Sequence, residues 1–180
     1  MIKIDAGDFF LIEPSEEYAE QIAEYKQAFL DAISSMDGCG PLRRCEDSIT
    51  YIAECRKYTS PETLPEGLVL ATQFFYIRKA DNKLVGMLQV RHYFNDYLSK
   101  FGGHIGYSIK PDERRKGYAT SMLRAILPYC KDLGLDKILI TCIDDNIGSE
   151  KVIRNNGGVY ETTVNEPDMK RNLKRFWITL

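Results

Sequence analysis

Arg114, Arg115 and Lys116 stand directly before Gly117. An apolar, aromatic run from His104 to Ile109 precedes them, closed by Lys110 and Pro111 and followed by the charged turn Asp112-Glu113. After Gly117 the residues Met122, Leu123, Ile126, Leu127 and Cys130 recur at helical spacing. The layout is strand, turn, helix, with fixed positive charge where the helix begins. The first N–H groups of a helix lack intrahelical partners and carry the positive end of its dipole, so such a place suits phosphate. Gly117 has no Cβ and lets a ligand approach the backbone, Ala119 keeps the first turn slim, and arginine grips phosphate oxygens in a fork. The same residues also fit a basic, solvated turn with Gly117 as a mere N-cap. The pattern is neither a Gly-x-x-x-x-Gly-Lys-Ser/Thr loop nor the Gly-x-Gly-x-x-Gly dinucleotide fingerprint.

Other elements must hold this loop in place. Phe9 to Ile12 reads as a short strand. Ser15 then caps an acidic first turn, and the stripe Ile22, Tyr25, Phe29, Ile33 predicts an amphipathic helix broken at Gly38-Cys39-Gly40-Pro41. Ile49, Ile52, Ala53 and Tyr58 predict a second helix, with a loop from Pro61 to Gly67. Thr72–Arg78 and Lys83–Arg91 predict an antiparallel pair, and Asn95–Lys100 a connector of one helical turn. Pro128, inside the helix from Gly117 to Leu133, is expected to kink or end it at a cost of about 3 kcal/mol. Lys137–Cys142 reads as a buried strand, making 104–142 a strand–helix–strand crossover that favours parallel pairing. Asp145-Asn146 caps a last helix ending at Gly157-Gly158, and Val159–Val164 and Arg175–Leu180 close the fold. The predicted class is α/β, with a mixed, mostly antiparallel sheet flanked by helices. Phe74, Phe75 and Tyr76 are expected in the core, Trp177 in the core or in an interface formed by the last strand, and Lys170–Arg175 in a solvated strand end or turn.

The 180 residues are expected to form a single domain, 1–180. A net charge of −2 argues against nucleic acid as a partner. The 5 cysteines are an odd number with no Cys-x-x-Cys pair, which points to neither a disulfide framework nor a metal site and fits a reducing cytoplasm. No apolar run reaches the roughly 18–20 residues of a membrane helix, and Met1–Asp5 begins no signal peptide, so no membrane partner is expected.

Two motifs carry a resemblance. Arg114-Arg115-Lys116-Gly117-Tyr118-Ala119 resembles the Gln/Arg-x-x-Gly-x-Gly/Ala signature of the GNAT superfamily of acyl-CoA-dependent N-acetyltransferases. Asn146-Ile147-Gly148-Ser149, with the run to Gly157-Gly158, is similar to that family's Asn-x-x-Ser/Ala helix. The stretch from Gly102 to Pro111 looks like a bacterial branch of the superfamily.

The resemblance implies acetyl-CoA as cosubstrate, no metal, and an amine acceptor, either a small molecule or a protein N-terminus. A homodimer is compatible, since many members dimerise. Backbone groups of Tyr107, Ser108 and Ile109 would pair with the pantetheine arm. The amides of Arg115, Lys116, Gly117, Tyr118, Ala119 and Thr120, with the Arg114 side chain, would hold the pyrophosphate. Asn146 and Ser149 would approach from the other side, although Asn146 also reads as a plain N-cap. The implied chemistry is direct attack of a neutral amine on the thioester, with a backbone amide near Ile109 as oxyanion donor and a base to take the ammonium proton. The family's usual proton donor, a Tyr seven residues after the Asn, is replaced by Ile153. That departure keeps open a non-catalytic acyl-CoA-binding or regulatory module. A cofactor-free interaction protein is a further alternative.

His104 is the candidate base, at the start of its strand and with an imidazole that titrates near neutrality. A structural hydrogen-bonding role beside Gly102-Gly103 fits it too, and Glu13, Glu54 and Tyr107 compete as bases. Tyr160 or a water is a substitute donor. Arg91 and Tyr93 flank the expected acceptor side and read equally as acceptor-orienting or as plain strand-edge residues; the resemblance implies acceptor specificity in 14–68 and 92–102.

Overall fold

The computed structural model describes the chain from Met1 to Leu180. In order come β1 (Lys3–Ala6), β2 (Phe9–Ile12), α1 (Ala19–Asp31), α2 (Ser48–Lys57), β3 (Ala71–Arg78), β4 (Lys83–Arg91), β5 (Ile105–Ile109), α3 (Tyr118–Asp132), β6 (Lys137–Ile143), α4 (Ile147–Arg154), β7 (Val159–Glu166) and β8 (Arg171–Thr179). Strands β1 to β5 form one sheet in chain order, and β6, β8 and β7 form a second. Every paired neighbour is antiparallel.

The central hairpin β3–β4 is buried on both faces, which explains its near-continuous apolar sequence. Its turn passes through Asn82 at φ 52, a left-handed position that Asn tolerates. One face carries α1 and α2 over Tyr25, Phe29, Tyr51, Phe75 and Met87. The other carries α3 over Phe74, Tyr76, Leu88, Met122 and Ile126. Phe74, Phe75 and Tyr76 thus lie in the core, as expected. Asp47 caps α2 by accepting from the Thr50 amide at 2.8 Å.

Several expectations are corrected. Helix α3 runs through Pro128 to Asp132. Pro128 and Arg124 are both exposed, so the Arg124 carbonyl left without a donor faces water rather than the core. Helix α1 ends at Asp31, which leaves Ile33 95% exposed outside the apolar stripe. The connector before β5 is a helical turn as expected, but of π type and placed at Leu98–Gly102. Strand β1 was not foreseen, and β8 begins at Arg171, inside the segment read as a solvated end. Trp177 is half-buried, with its Nε1 donating to Glu161 at 3.0 Å and Lys137 over its ring.

The crossover itself holds a further difference. Strands β5 and β6 are neighbours but lie in different sheets. They meet at one residue: the His104 amide donates to the Leu139 carbonyl at 2.7 Å, and the Leu139 amide donates to His104 Nδ1 at 2.9 Å. Beyond that point they diverge, and β5 keeps a free edge. No helix is long and apolar enough to cross a membrane.

Candidate active site

The divergence opens a cleft of about 550 Å³. Its walls are the free edge of β5, the start of α3, the start of α4, and a segment after α1 that carries Ser34, Ser35 and Asp37. Of the residues expected to hold a cofactor, Tyr107, Ser108, Ile109, Arg114, Arg115, Gly117, Tyr118, Ala119, Thr120, Asn146 and Ser149 all line this one space. Lys116 does not; its ammonium turns back to Glu113 at 2.7 Å.

The β5 edge offers backbone groups to the cleft. Arg91 donates to the His104 carbonyl and Lys110 donates to the Val85 carbonyl, which fixes the alternation along β5. Ile105, Tyr107 and Ile109 therefore turn their N–H and C=O groups away from β4. The Ile109 carbonyl is taken by Arg114 Nε at 3.1 Å, while Arg114 Nη2 reaches Ser34 Oγ at 2.9 Å. Arg114 thus ties the segment after α1 to the end of β5.

At α3, Arg115 and Gly117 both have positive φ, 64° and 80°, and no side chain caps the helix. The amides of Tyr118, Ala119 and Thr120 precede the first intrahelical bond, Ser121 to Gly117, and belong to residues that line the cleft. Alternation of left- and right-handed residues before a helix makes an anion-binding concavity. The turn is anchored by Glu113, only 3% exposed, which accepts from Arg78, Lys83 and Lys116. Burial pushes its carboxyl up, but hydrogen bonds from Lys116, Lys83 and Arg78 outweigh that and bring it down to about 2.

At α4, Asn146 Oδ1 accepts from the Ser149 amide at 3.0 Å, so Asn146 is an N-cap while it also lines the cleft. Ser149 Oγ lies 2.8 Å from the Tyr107 hydroxyl. Asn156 joins the two helices by donating to the Thr120 and Val152 carbonyls. The uncapped amides, the free strand edge and the length of the cleft suit a molecule with a phosphate end and an amide-bearing arm, as the resemblance implies for acetyl-CoA.

His104 lies elsewhere. It is 5% exposed, absent from the cleft lining, and packed on Phe94 with ring centroids 3.9 Å apart. Burial, with the Arg91 charge, brings its imidazole down to about 4. Because Nδ1 accepts the Leu139 amide, the ring is neutral and carries its proton on Nε2. Of the competitors, Glu13 accepts the Ile2 amide, Glu54 pairs with Lys57, and Tyr107 faces the cleft. Ile153 is fully buried in the core on the α3 side. Tyr160 is exposed and bonded to Thr163. Ser34, Ser35 and Asp37 were missed; they follow the helix end without any pattern, and only their packing across β5 brings them here.

The family model for the acetyltransferase (GNAT) domain matches residues 10–159. The chain belongs to the GNAT acetyltransferase family. Among curated proteins it is similar to YnaD, an uncharacterized N-acetyltransferase of Bacillus subtilis, with 32% identity over 88 residues. That match spans about half of each protein, 48% of this chain and 49% of YnaD. A RimL ribosomal L7/L12 alpha-N-protein acetyltransferase in complex with coenzyme A superposes with a TM-score of 0.74 at 13% identity, over 99% of this chain and 98% of that one. A ribosomal-protein-S5-alanine acetyltransferase from Vibrio fischeri gives 0.73 at 16% identity, over 99% and 97%. The microcin C7 self-immunity acetyltransferase MccE, in complex with acetyl-CoA and AMP, gives 0.71 at 20%, over 97% and 94%. At these identities the structures speak for the GNAT fold alone.

Proposed function

We propose that this GNAT protein transfers the acetyl group of acetyl-CoA to a primary amine by direct attack. The observation that carries the reading is the conjunction, in one cleft, of a free β5 edge and an uncapped helix start beside Arg114 and Arg115. Acetyl-CoA brings the activated thioester. The outward amides of Tyr107 and Ile109 hold its arm as an added strand, and the one near the reacting carbonyl stabilises the oxyanion. The amides of Arg115 to Thr120 hold the pyrophosphate, with Asn146 opposite and Ser149 further along the arm. Glu113 is saturated with cations, whereas the exposed Asp37 accepts only from Ser35 Oγ and forms no ion pair. Asp37 receives the acceptor ammonium and takes its proton, and the Ser149 hydroxyl, held by Tyr107, donates a hydrogen bond to the leaving thiolate, which takes its proton from solvent. His104 pins the two sheets and is not the base. The solved relatives named for acetylating ribosomal proteins support an N-terminal amine of a protein as one acceptor to try.

Two measurements test this. Acetyl-CoA should raise the melting temperature in proportion to the logarithm of its concentration, and thiol release should follow addition of an amine or a peptide with a free N-terminus. No stabilisation at saturating acetyl-CoA removes the cofactor. Stabilisation without turnover on any amine leaves the acyl-CoA-binding module.

A further inference from the structure

A second cavity, of about 210 Å³, lies on the α2 side of the first sheet. Its charged lining consists of Arg44 and Arg91, with no carboxylate. Arg91 is partly buried, and its Nη1 donates to the carbonyls of Gly102 and Gly103 at 2.9 and 3.2 Å. Its Nε and Nη2 have no protein partner, and it forms no ion pair. Arg44 is exposed and likewise unpaired. Gln89, only 8% exposed, lines the same cavity, and its side-chain amide makes no hydrogen bond to the protein. Across the β3–β4 ladder, Gln73 donates to the Gly38 and Leu88 carbonyls, and its buried Oε1 has no partner. A Cβ on Gly40 would lie 3.0 Å from that oxygen and 3.1 Å from Gln89 Nε2, so glycine keeps the approach to both amides open. The Arg91 guanidinium is only half satisfied and carries no counter-charge, and a ligand that pairs its free Nε and Nη2 removes that cost.

The cavity adjoins the cleft. Arg91 Nη2 is 3.2 Å from where a Gly106 Cβ would stand, and Gly106 lies between Ile105 and Tyr107, whose backbone groups face the cleft. A molecule anchored at Arg91 has only the Gly38–Gly106 crossing between itself and the β5 edge.

We propose that this cavity is the acceptor pocket, and that Arg91 and Arg44 clamp a carboxylate on the acceptor, whose class is an amine carrying a carboxylate a few bonds away, such as a free amino acid. The clamp is bidentate in the manner of arginine and carboxylate, Gln89 receives a remaining polar group, and Leu68, Val69 and Leu98 supply an apolar wall for a side chain. The proposal rests on the acetyl-transfer reading above. A peptide N-terminus lacks a nearby carboxylate and leaves both guanidinium groups without a counter-charge.

The test uses the full chain with coenzyme A present and a panel of N-acetyl amino acids, each against its carboxamide, by calorimetric titration. The acids should bind at least tenfold more tightly than the amides. Arg91→Gln and the exposed Arg44→Ala should each erase most of that difference while leaving coenzyme A affinity unchanged. Equal binding of acids and amides, a preference that survives both substitutions, or competition by inorganic phosphate without binding of any acid would each overturn the proposal while coenzyme A still binds. Failure of coenzyme A itself to bind would instead remove the reading beneath it.

Discussion

Gly38 and Gly106 cross backbone against backbone: a Cβ on Gly38 would lie 2.3 Å from the Gly106 carbonyl carbon and oxygen. Gly38 also has φ 72, which a side chain resists. Both features act at one residue, and together they let the segment carrying Ser34, Ser35 and Asp37 reach over β5. Gly38→Ala should therefore destabilise the protein by about 2 kcal/mol or more, through left-handed strain plus displacement of the crossing segment. Urea unfolding measures this, and a wild-type midpoint would contradict it.

Gly117 is a different case, because nothing lies within 4 Å of its absent Cβ and only its φ of 80 constrains it. Gly117→Ala should cost about 1 kcal/mol of stability. Gly117→Glu should in addition place an anion at the phosphate site and weaken acetyl-CoA binding more than tenfold. Titration of the folded variant decides; unchanged affinity would remove the loop from the cofactor site.

His104 should behave as a structural ligand of the Leu139 amide. Its folded value, about 4, lies below the ordinary 6.5. The stability tied to the neutral ring is therefore complete above pH 6.5 and is lost as pH falls towards 4, a change of up to ~3 kcal/mol. His104→Ala should lower stability at pH 7 and flatten this window, while the pH–rate profile keeps its shape. A turnover defect much larger at pH 7 than at pH 9, with stability intact, would restore His104 as the base.

The Glu113 cluster sets a second, more acidic window. Glu113 falls from 4.5 to about 2 in the folded protein, so its contribution is complete above pH 4.5 and disappears as pH falls through 2. Glu113→Gln leaves Arg78, Lys83 and Lys116 facing one another, and should cost about 3 kcal/mol at neutral pH. The gap between variant and wild type should shrink below pH 4.5. A gap that stays constant down to pH 2 would show that the ionised carboxylate is not what anchors the turn.

Ser149→Ala should lower kcat by about 10-fold with little change in acetyl-CoA affinity, as loss of a hydrogen bond to the charged leaving thiolate does. Tyr107→Phe should have a smaller effect, since Tyr107 acts through Ser149. Single-turnover thiol release separates chemistry from binding. Loss of affinity with kcat intact would make Ser149 a binding residue only.

Local signals made most of the elements legible. The Lys83–Arg91 strand begins and ends where its apolar run and the Asn82 turn place it, and the Asn146 cap is visible as a cap. The residues of the phosphate loop are contiguous, so their convergence follows from one strand-to-helix turn. Non-local geometry was not legible. Whether β5 and β6 pair or part is decided by His104 and Leu139, 35 residues apart, and nothing in either segment announces it. The Arg91 pocket is assembled from four separate stretches, and Asp37 reaches the cleft only because two glycines cross. Ile153 shows the opposite limit: its apolar type correctly signals burial, and Gly158, where a Cβ would lie 2.4 Å from its Cγ2, closes over it.

The free edge of β5 has a meaning beyond catalysis. A strand that has lost its neighbour is an open template, and any extended chain with matching spacing can occupy it. Bound along that edge, the cosubstrate would complete the strand register and act as an internal chaperone. The ligand-free enzyme would then be the form most prone to sticky association in a concentrated solution, and the supply of coenzyme A would govern how long the protein persists as well as how fast it works.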